Sequence, residues 1–223
     1  MKINFTEPSY EILMIGDPDP IEILQHIEKC GRTCYKSEDK MTEDSCKKFI
    51  QMIIKRGHES VLEHYGFSVR FIVDRGISHE LVRHRLASFS QESTRYVGYR
   101  NEIEFILPLW IDERPYDNFI DIAKEQYFEP DNERAKIWYD SMVYAAMAYK
   151  DLLDKGWTPE KARAVLPNSL KTEIVITANL REWRHILKLR TSAAAHPQVR
   201  EVMIPLLQEL KDRIPVVFDD IEG

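Results

Sequence analysis

Apolar and polar positions alternate with period two from Tyr65 to Val73. Tyr65, Phe67, Val69, Phe71 and Val73 are interleaved with Gly66, Ser68 and Arg70, the pattern of a half-buried strand. Asp74 follows as a candidate helix cap, and the next segment pairs Ile77 with Leu81 and Val82 with Leu86 at helical spacing. Ser88 to Thr94 is polar apart from Phe89 and reads as loop. A second strand pattern places Leu170, Thr172, Ile174 and Ile176 on one face. The longest helical pattern runs from about Asn132 to Lys155, with Trp138, Met142, Ala145, Tyr149 and Leu152 spaced four, three, four, three and Gly156 as the stop. Thr158 and Pro159 open a short helix that Pro167 ends. Asn179 opens another, with Glu182 three residues on as in a capping box. Long helices around a few strands, without regular βαβ alternation, predict an α+β fold with a mixed sheet.

At 223 residues, with no internal repeat and no Gly/Ser-rich linker, the chain is expected to form one compact domain spanning 1-223. Its longest unbroken apolar run, Met142 to Tyr149, is far short of the ~18 residues of a membrane span. The first twenty residues carry acids and prolines where a signal peptide has a basic flank and an apolar stretch, so a cytoplasmic protein is expected. Cys30, Cys34 and Cys46 are expected to be reduced thiols acting as small buried hydrophobes.

The formal net charge of −6 disfavours nucleic acid and anionic membranes as partners. Local charge differs. From Arg70 to Arg100 there are six arginines and no lysine, against Asp74, Glu80 and Glu92. The guanidinium is a rigid fork suited to phosphates and carboxylates, so this segment points to a small anion held in a pocket.

The densest polar stretch runs from Arg83 to Tyr96, with three arginines, His84 and four Ser or Thr hydroxyls. It fits an anion-binding loop, and equally a solvated helix end followed by a surface loop. On the helix after Asn179, a wheel of 100° per residue sets Trp183, Ile186, Leu187 and Arg190 on one face and Arg181 with His185 on the opposite one. Polar groups on two faces can serve one pocket only if another chain helps to enclose it. His58, Glu59, Ser60, Glu63 and His64 match neither HExxH nor HxxEH, so no metal site is expected. No GxSxG elbow and no GxGxxG are present, so any dinucleotide has to be held by arginines. Two alternatives stand beside an enzyme: a single-strand nucleic-acid binding module using Tyr96 and Tyr99 for stacking, and a metal hydrolase using His58 and His64.

The run RHRLASFSQESTRY, with Arg83-His84-Arg85 followed after seven residues by Ser93, resembles the signature of the flavin-dependent thymidylate synthases. The segments His58-Glu59-Ser60 with Glu63-His64, Ala162 to Pro167, and Asn179-Leu180-Arg181 with His185 and Leu189-Arg190 are similar to the other blocks of that family, in the same order from about residue 57 to 197. The resemblance implies the family's fold and the reductive methylation of dUMP to dTMP, with 5,10-methylenetetrahydrofolate as one-carbon donor and NADPH reducing through FAD. It also implies a homotetramer with shared active sites. By matching position, Ser60, Arg83, His84, Arg85, Gln91, Asn179, Leu180, Arg181 and His185 are assigned to FAD. Glu80, Leu81, Val82, Arg83, Gln91, Glu92, Ser93, Thr94, Arg95, Arg163 and Arg190 are assigned to dUMP, with Arg190 as the catalytic, ring-activating residue. Glu80 and Gln91 vary from the pattern, where Gln and Glu also occur.

Overall fold

The computed structural model describes residues 1–14, 18–34 and 36–223. Part of the N-terminal stretch read above, residues 15–17, lies outside the described residues. The elements are β1 (Lys2–Thr6), β2 (Ser9–Leu13), α1 (Pro20–Thr33), α2 (Ser45–Lys55), β3 (Gly66–Asp74), α3 (Arg75–Leu81), β4 (Ser88–Gln91), β5 (Glu102–Ile106), β6 (Phe119–Asp121), α4 (Glu133–Asp154), α5 (Pro159–Ala162), β7 (Lys171–Asn179), α6 (Leu180–Arg190) and α7 (Pro197–Arg213). Short 3₁₀ turns, one of them Glu59–His64, join some of these. This is the expected α+β class. β1 pairs with β5 in parallel and with β6 antiparallel, and a second sheet is ordered β2-β3-β7-β4.

The chain divides into two compact units, each assembled from separated stretches. The first comprises Met1–Ser9, Phe71–Leu81 and Ser90–Ile174. Its core gathers Ile3 and Phe5 of β1, Ile103 and Phe105 of β5, Ile120 of β6, and Tyr139, Met142 and Ala146 of α4. Phe5 meets Tyr139 edge-on at 4.8 Å between centroids. Asn132 caps α4, its side-chain oxygen accepting the Arg134 N–H at 2.9 Å, and Gly156, at φ 90°, follows the helix end with a backbone that L residues rarely adopt. Asp74 caps α3 as expected, accepting the Ile77 N–H at 2.7 Å.

The second unit comprises Tyr10–Arg70, Val82–Phe89 and Val175–Gly223. Here α1 packs on α2, α6 packs on α7, and the 59–64 turn touches α1, α2 and α6. Trp183 of α6 stacks on Phe67 of β3 at 5.2 Å and donates its indole N–H to the Phe67 carbonyl at 3.1 Å. That bond settles the one polar atom of a fully buried ring.

Four expectations are corrected. Ser88 to Gln91 is strand β4, not loop: β4 pairs with β7 and turns Phe89 and Gln91 inward in alternation with exposed serines, so pairing overrides weak local propensity. The helix after Asp74 ends at Leu81, and Leu86 is exposed, because the chain turns to bury His84. The buried stripe of α4 is Tyr139, Met142, Ala146, Tyr149 and Leu153; Trp138, Ala145 and Leu152 flank it half-buried, a rotation of one position. Of the cysteines only Cys46 is buried, whereas Cys34 is exposed.

Phe105 is completely buried, so Phe105→Ala is expected to cost about 3–5 kcal/mol in urea unfolding, against no measurable change for Tyr116→Ala at a 98% exposed position. Similar costs for the two would contradict the assigned core.

Candidate active site

In the second unit the Arg83-His84-Arg85 turn divides its side chains. Arg83 and Arg85 are exposed, and His84 is buried. His84 Nε2 accepts a hydrogen bond from Arg190 Nε at 3.0 Å, across 106 positions of sequence. Burial, with the positive charge of Arg190 and then His185 added, pushes the imidazole down to about 4, so it is neutral at physiological pH. A neutral ring is what this contact needs, because a protonated one has no lone pair for the guanidinium.

Helix α6 presents the remaining groups. Asn179 caps it by accepting the Glu182 N–H at 2.9 Å, so the cap reading holds. Trp183, Ile186 and Leu187 are buried, while Arg181 and His185 are exposed, as the wheel predicts. Arg181 pairs with Glu63 at 2.5 Å. Arg181, His185 and Asn179 line a cavity of about 600 Å³. Arg181 also lines a second one of about 680 Å³, with Ser60, Lys40, Arg56, Phe49 and Val61. Arg85 and Asn179 border a third, of about 470 Å³. Leu180 is fully buried and gives its N–H to the Tyr65 carbonyl, so its side chain offers a ligand nothing.

In the first unit, Arg163 donates to Thr94 Oγ1 at 3.0 Å, and both line a cavity of about 280 Å³ with Arg75, His79 and Asn168. The Ser93 hydroxyl accepts the Arg95 N–H at 3.3 Å, and the Arg95 guanidinium is exposed. The Gln91 amide donates to Ser78 at 2.8 Å and Thr172 at 3.2 Å. Glu92 turns inward, accepting the Tyr99 hydroxyl at 2.5 Å. Burial and then that hydrogen bond raise the Tyr99 phenol; Tyr99 is half-buried beside Tyr149, and Tyr96 is exposed. Glu80 and Leu81 sit on α3, Leu81 fully buried. The sequence-assigned residues therefore fall into two groups. Glu80, Leu81, Gln91 to Arg95 and Arg163 belong to the first unit; Ser60, Val82 to Arg85 and Asn179 to Arg190 belong to the second.

Residues 21–216 match the family model described as thymidylate synthase complementing protein, Thy1. The chain belongs to this family. Among similar proteins named flavin-dependent thymidylate synthase, that of Corynebacterium glutamicum is 34% identical over 98% of this chain and 86% of its own length. The Geobacter sulfurreducens protein of that name is 32% identical over 90% of the chain and 85% of its own length. For Mycolicibacterium gilvum the identity is 36%, covering 88% and 78%.

Sequence reading missed a buried arginine of this Thy1 chain. Arg184 is 1% exposed. Its Nη1 donates to the Val217 carbonyl and to Asp220 at 2.6 Å, and its Nη2 to Asp220 at 2.9 Å and Glu59 at 3.1 Å. This bidentate grip holds the Asp220 carboxyl below the usual carboxylate range. The available signal was position: Arg184 follows Trp183 and shares a face with Leu180 and Leu187, inside an apolar stripe. Its partners near residues 59 and 220 carry no such mark.

Because His84 titrates near 4 when folded and near 6.5 when unfolded, its contribution is full above pH 6.5 and is lost as pH falls toward 4. The wild type is expected to lose about 2–3 kcal/mol more stability between pH 7.5 and 4.5 than His84→Asn, read from urea unfolding at both pH values. Equal losses would show that the buried ring is charged when folded.

Proposed function

We propose that this chain is a flavin-dependent thymidylate synthase that methylates dUMP to dTMP. The one-carbon unit comes from 5,10-methylenetetrahydrofolate and the electrons from NADPH by way of FAD. The observation that carries the reading is the Arg190 guanidinium held on the neutral His84 of the Arg83-His84-Arg85 signature. The Thy1 match and the names of the relatives point the same way.

The residues fit a flavin dinucleotide by donor chemistry. The 680 Å³ cavity joins cationic Lys40, Arg56 and Arg181, suited to a pyrophosphate, with an apolar wall of Phe49, Met52 and Val61, suited to a ring. Ser60, Arg181, Asn179 and His185, with the exposed Arg83 and Arg85, would hold the group. When bound, FAD supplies the two-electron reduction that completes the methyl group. Ser93, Arg95 and Arg163 bind the nucleotide phosphate, each charge-assisted bond contributing roughly 1.5–3 kcal/mol. Arg190 lies beside uracil N3 and O2, where its charge favours the ionised ring and so builds electron density at C5. No cysteine nucleophile is required.

The whole chain, 1-223, acts as one catalytic domain in a homotetramer with shared sites. Leu86 and Tyr96, both 79% exposed beside the signature, are large apolar side chains suited to cover by another copy. No helix among the described residues is long and apolar enough to cross a membrane.

Purified protein reconstituted with FAD is expected to be yellow and to convert dUMP to dTMP with NADPH and methylenetetrahydrofolate. Arg190→Ala is expected to abolish turnover while leaving the flavin absorbance and FAD affinity largely intact. A colourless protein that takes up no FAD would overturn the reading; a variant that still turns over would overturn the role of Arg190.

A further inference from the structure

Three groups in the second unit form a line. Arg190 Nε donates to His84 Nε2 at 3.0 Å, and His84 Nδ1 lies 3.8 Å from Glu182 Oε1. Arginine Nε always carries its hydrogen, so Nε2 of His84 holds the lone pair. A neutral imidazole has one proton, which must then sit on Nδ1, the nitrogen nearer Glu182. The carboxylate side chain is 8% exposed and the imidazole 4%, so the pairing is screened little by water. Glu182 is fixed independently of its carboxylate, because its backbone N–H is accepted by Asn179 at the start of α6.

We propose that Glu182 is a positioning residue: its carboxylate holds His84 in the Nδ1–H tautomer, and the Nε2 lone pair so exposed holds the Arg190 guanidinium at the reacting pyrimidine. The other tautomer would turn an N–H toward Arg190, leaving two donors face to face and driving the guanidinium out of place. By residue type the cluster of His84, Glu182 and His185, with ligand atoms within 4.8 Å of one another, resembles a metal site. The Arg190 bond argues otherwise, since it uses the lone pair of His84 and leaves a proton on the nitrogen nearer Glu182. The cluster is a line in which the Glu182 carboxylate acts on the imidazole electrostatically across 3.8 Å and the imidazole accepts the guanidinium N–H at 3.0 Å, and no proton is transferred along it.

The role given to Arg190 rests on the thymidylate synthase reading, but the tautomer does not, and the two are measured separately. The FAD-reconstituted protein, labelled with ¹⁵N-histidine, reports the His84 tautomer, and dTMP formation is followed on the same samples. Wild type and Glu182→Gln, whose amide oxygen keeps a partial negative charge toward Nδ1, are expected to show the Nδ1–H form and kcat values within about threefold of each other. Glu182→Met is expected to lose the single tautomer and ~10–100-fold in kcat, with the FAD dissociation constant unchanged within about threefold. A Glu182→Met protein that keeps the Nδ1–H form, or Gln and Met variants that lose turnover and FAD binding together, would overturn the proposal. If the wild type shows the tautomer but makes no dTMP, the enzymatic reading fails, and with it the role given to Arg190.

Discussion

An uncharged imidazole inside the protein is the condition on which the site in the second unit depends. Arg190 projects from the last turn of α6, half-buried, and its Nε needs an acceptor. His84 is that acceptor only while it is neutral, and burial keeps it so. The cationic neighbours work in the same direction, since a second positive charge beside Arg190 would be repelled. Burying a histidine next to an arginine therefore gives the guanidinium a defined acceptor, as the proposed role of Arg190 requires.

The same helix carries ionic groups on nearly every side, and each has a structural partner, Asp220 serving two of them. Arg181 faces Glu63, Arg184 is gripped by Glu59 and Asp220, Lys188 lies 3.6 Å from Asp220, and Arg190 meets His84. The Thr191 hydroxyl, just past the helix, donates to the carbonyl of Glu222 at 3.1 Å. The C-terminal segment is thereby tied along α6 from Arg184 to Thr191. The 59–64 turn is tied to it at the other end, and that turn carries Ser60. Support of this kind fixes the exposed face of α6 that carries Arg181 and His185, the groups proposed to hold FAD.

What was legible in the sequence follows the range of the forces involved. Strands β3 and β7 showed as period-two alternation, and the caps Asp74 and Asn179 as local signals, because each depends on neighbours within a few residues. Strand β4 was not visible: Ser88 to Gln91 is short with one apolar residue, Phe89, and only pairing with β7, some eighty positions later, makes it extended. The phase of α4 slipped by one residue because its surface also carries exposed aromatics such as Tyr144. In the site, the identities of Arg83, His84 and Arg190 were legible through the resemblance of the segments that hold them. The bond between His84 and Arg190, the inward turn of Glu92 onto Tyr99 and the clamp on Arg184 were not. Each joins side chains whose juxtaposition exists only once the chain has folded.

The most direct measurement is a crystal structure of the protein with FAD and dUMP bound. The uracil is expected within hydrogen-bond reach of the Arg190 guanidinium, ~3 Å, with Arg190 still held by His84 Nε2 and the phosphate met by Arg95 and Arg163. A pyrimidine seated elsewhere, with Arg190 turned into solvent and His84 released, would contradict the central claim.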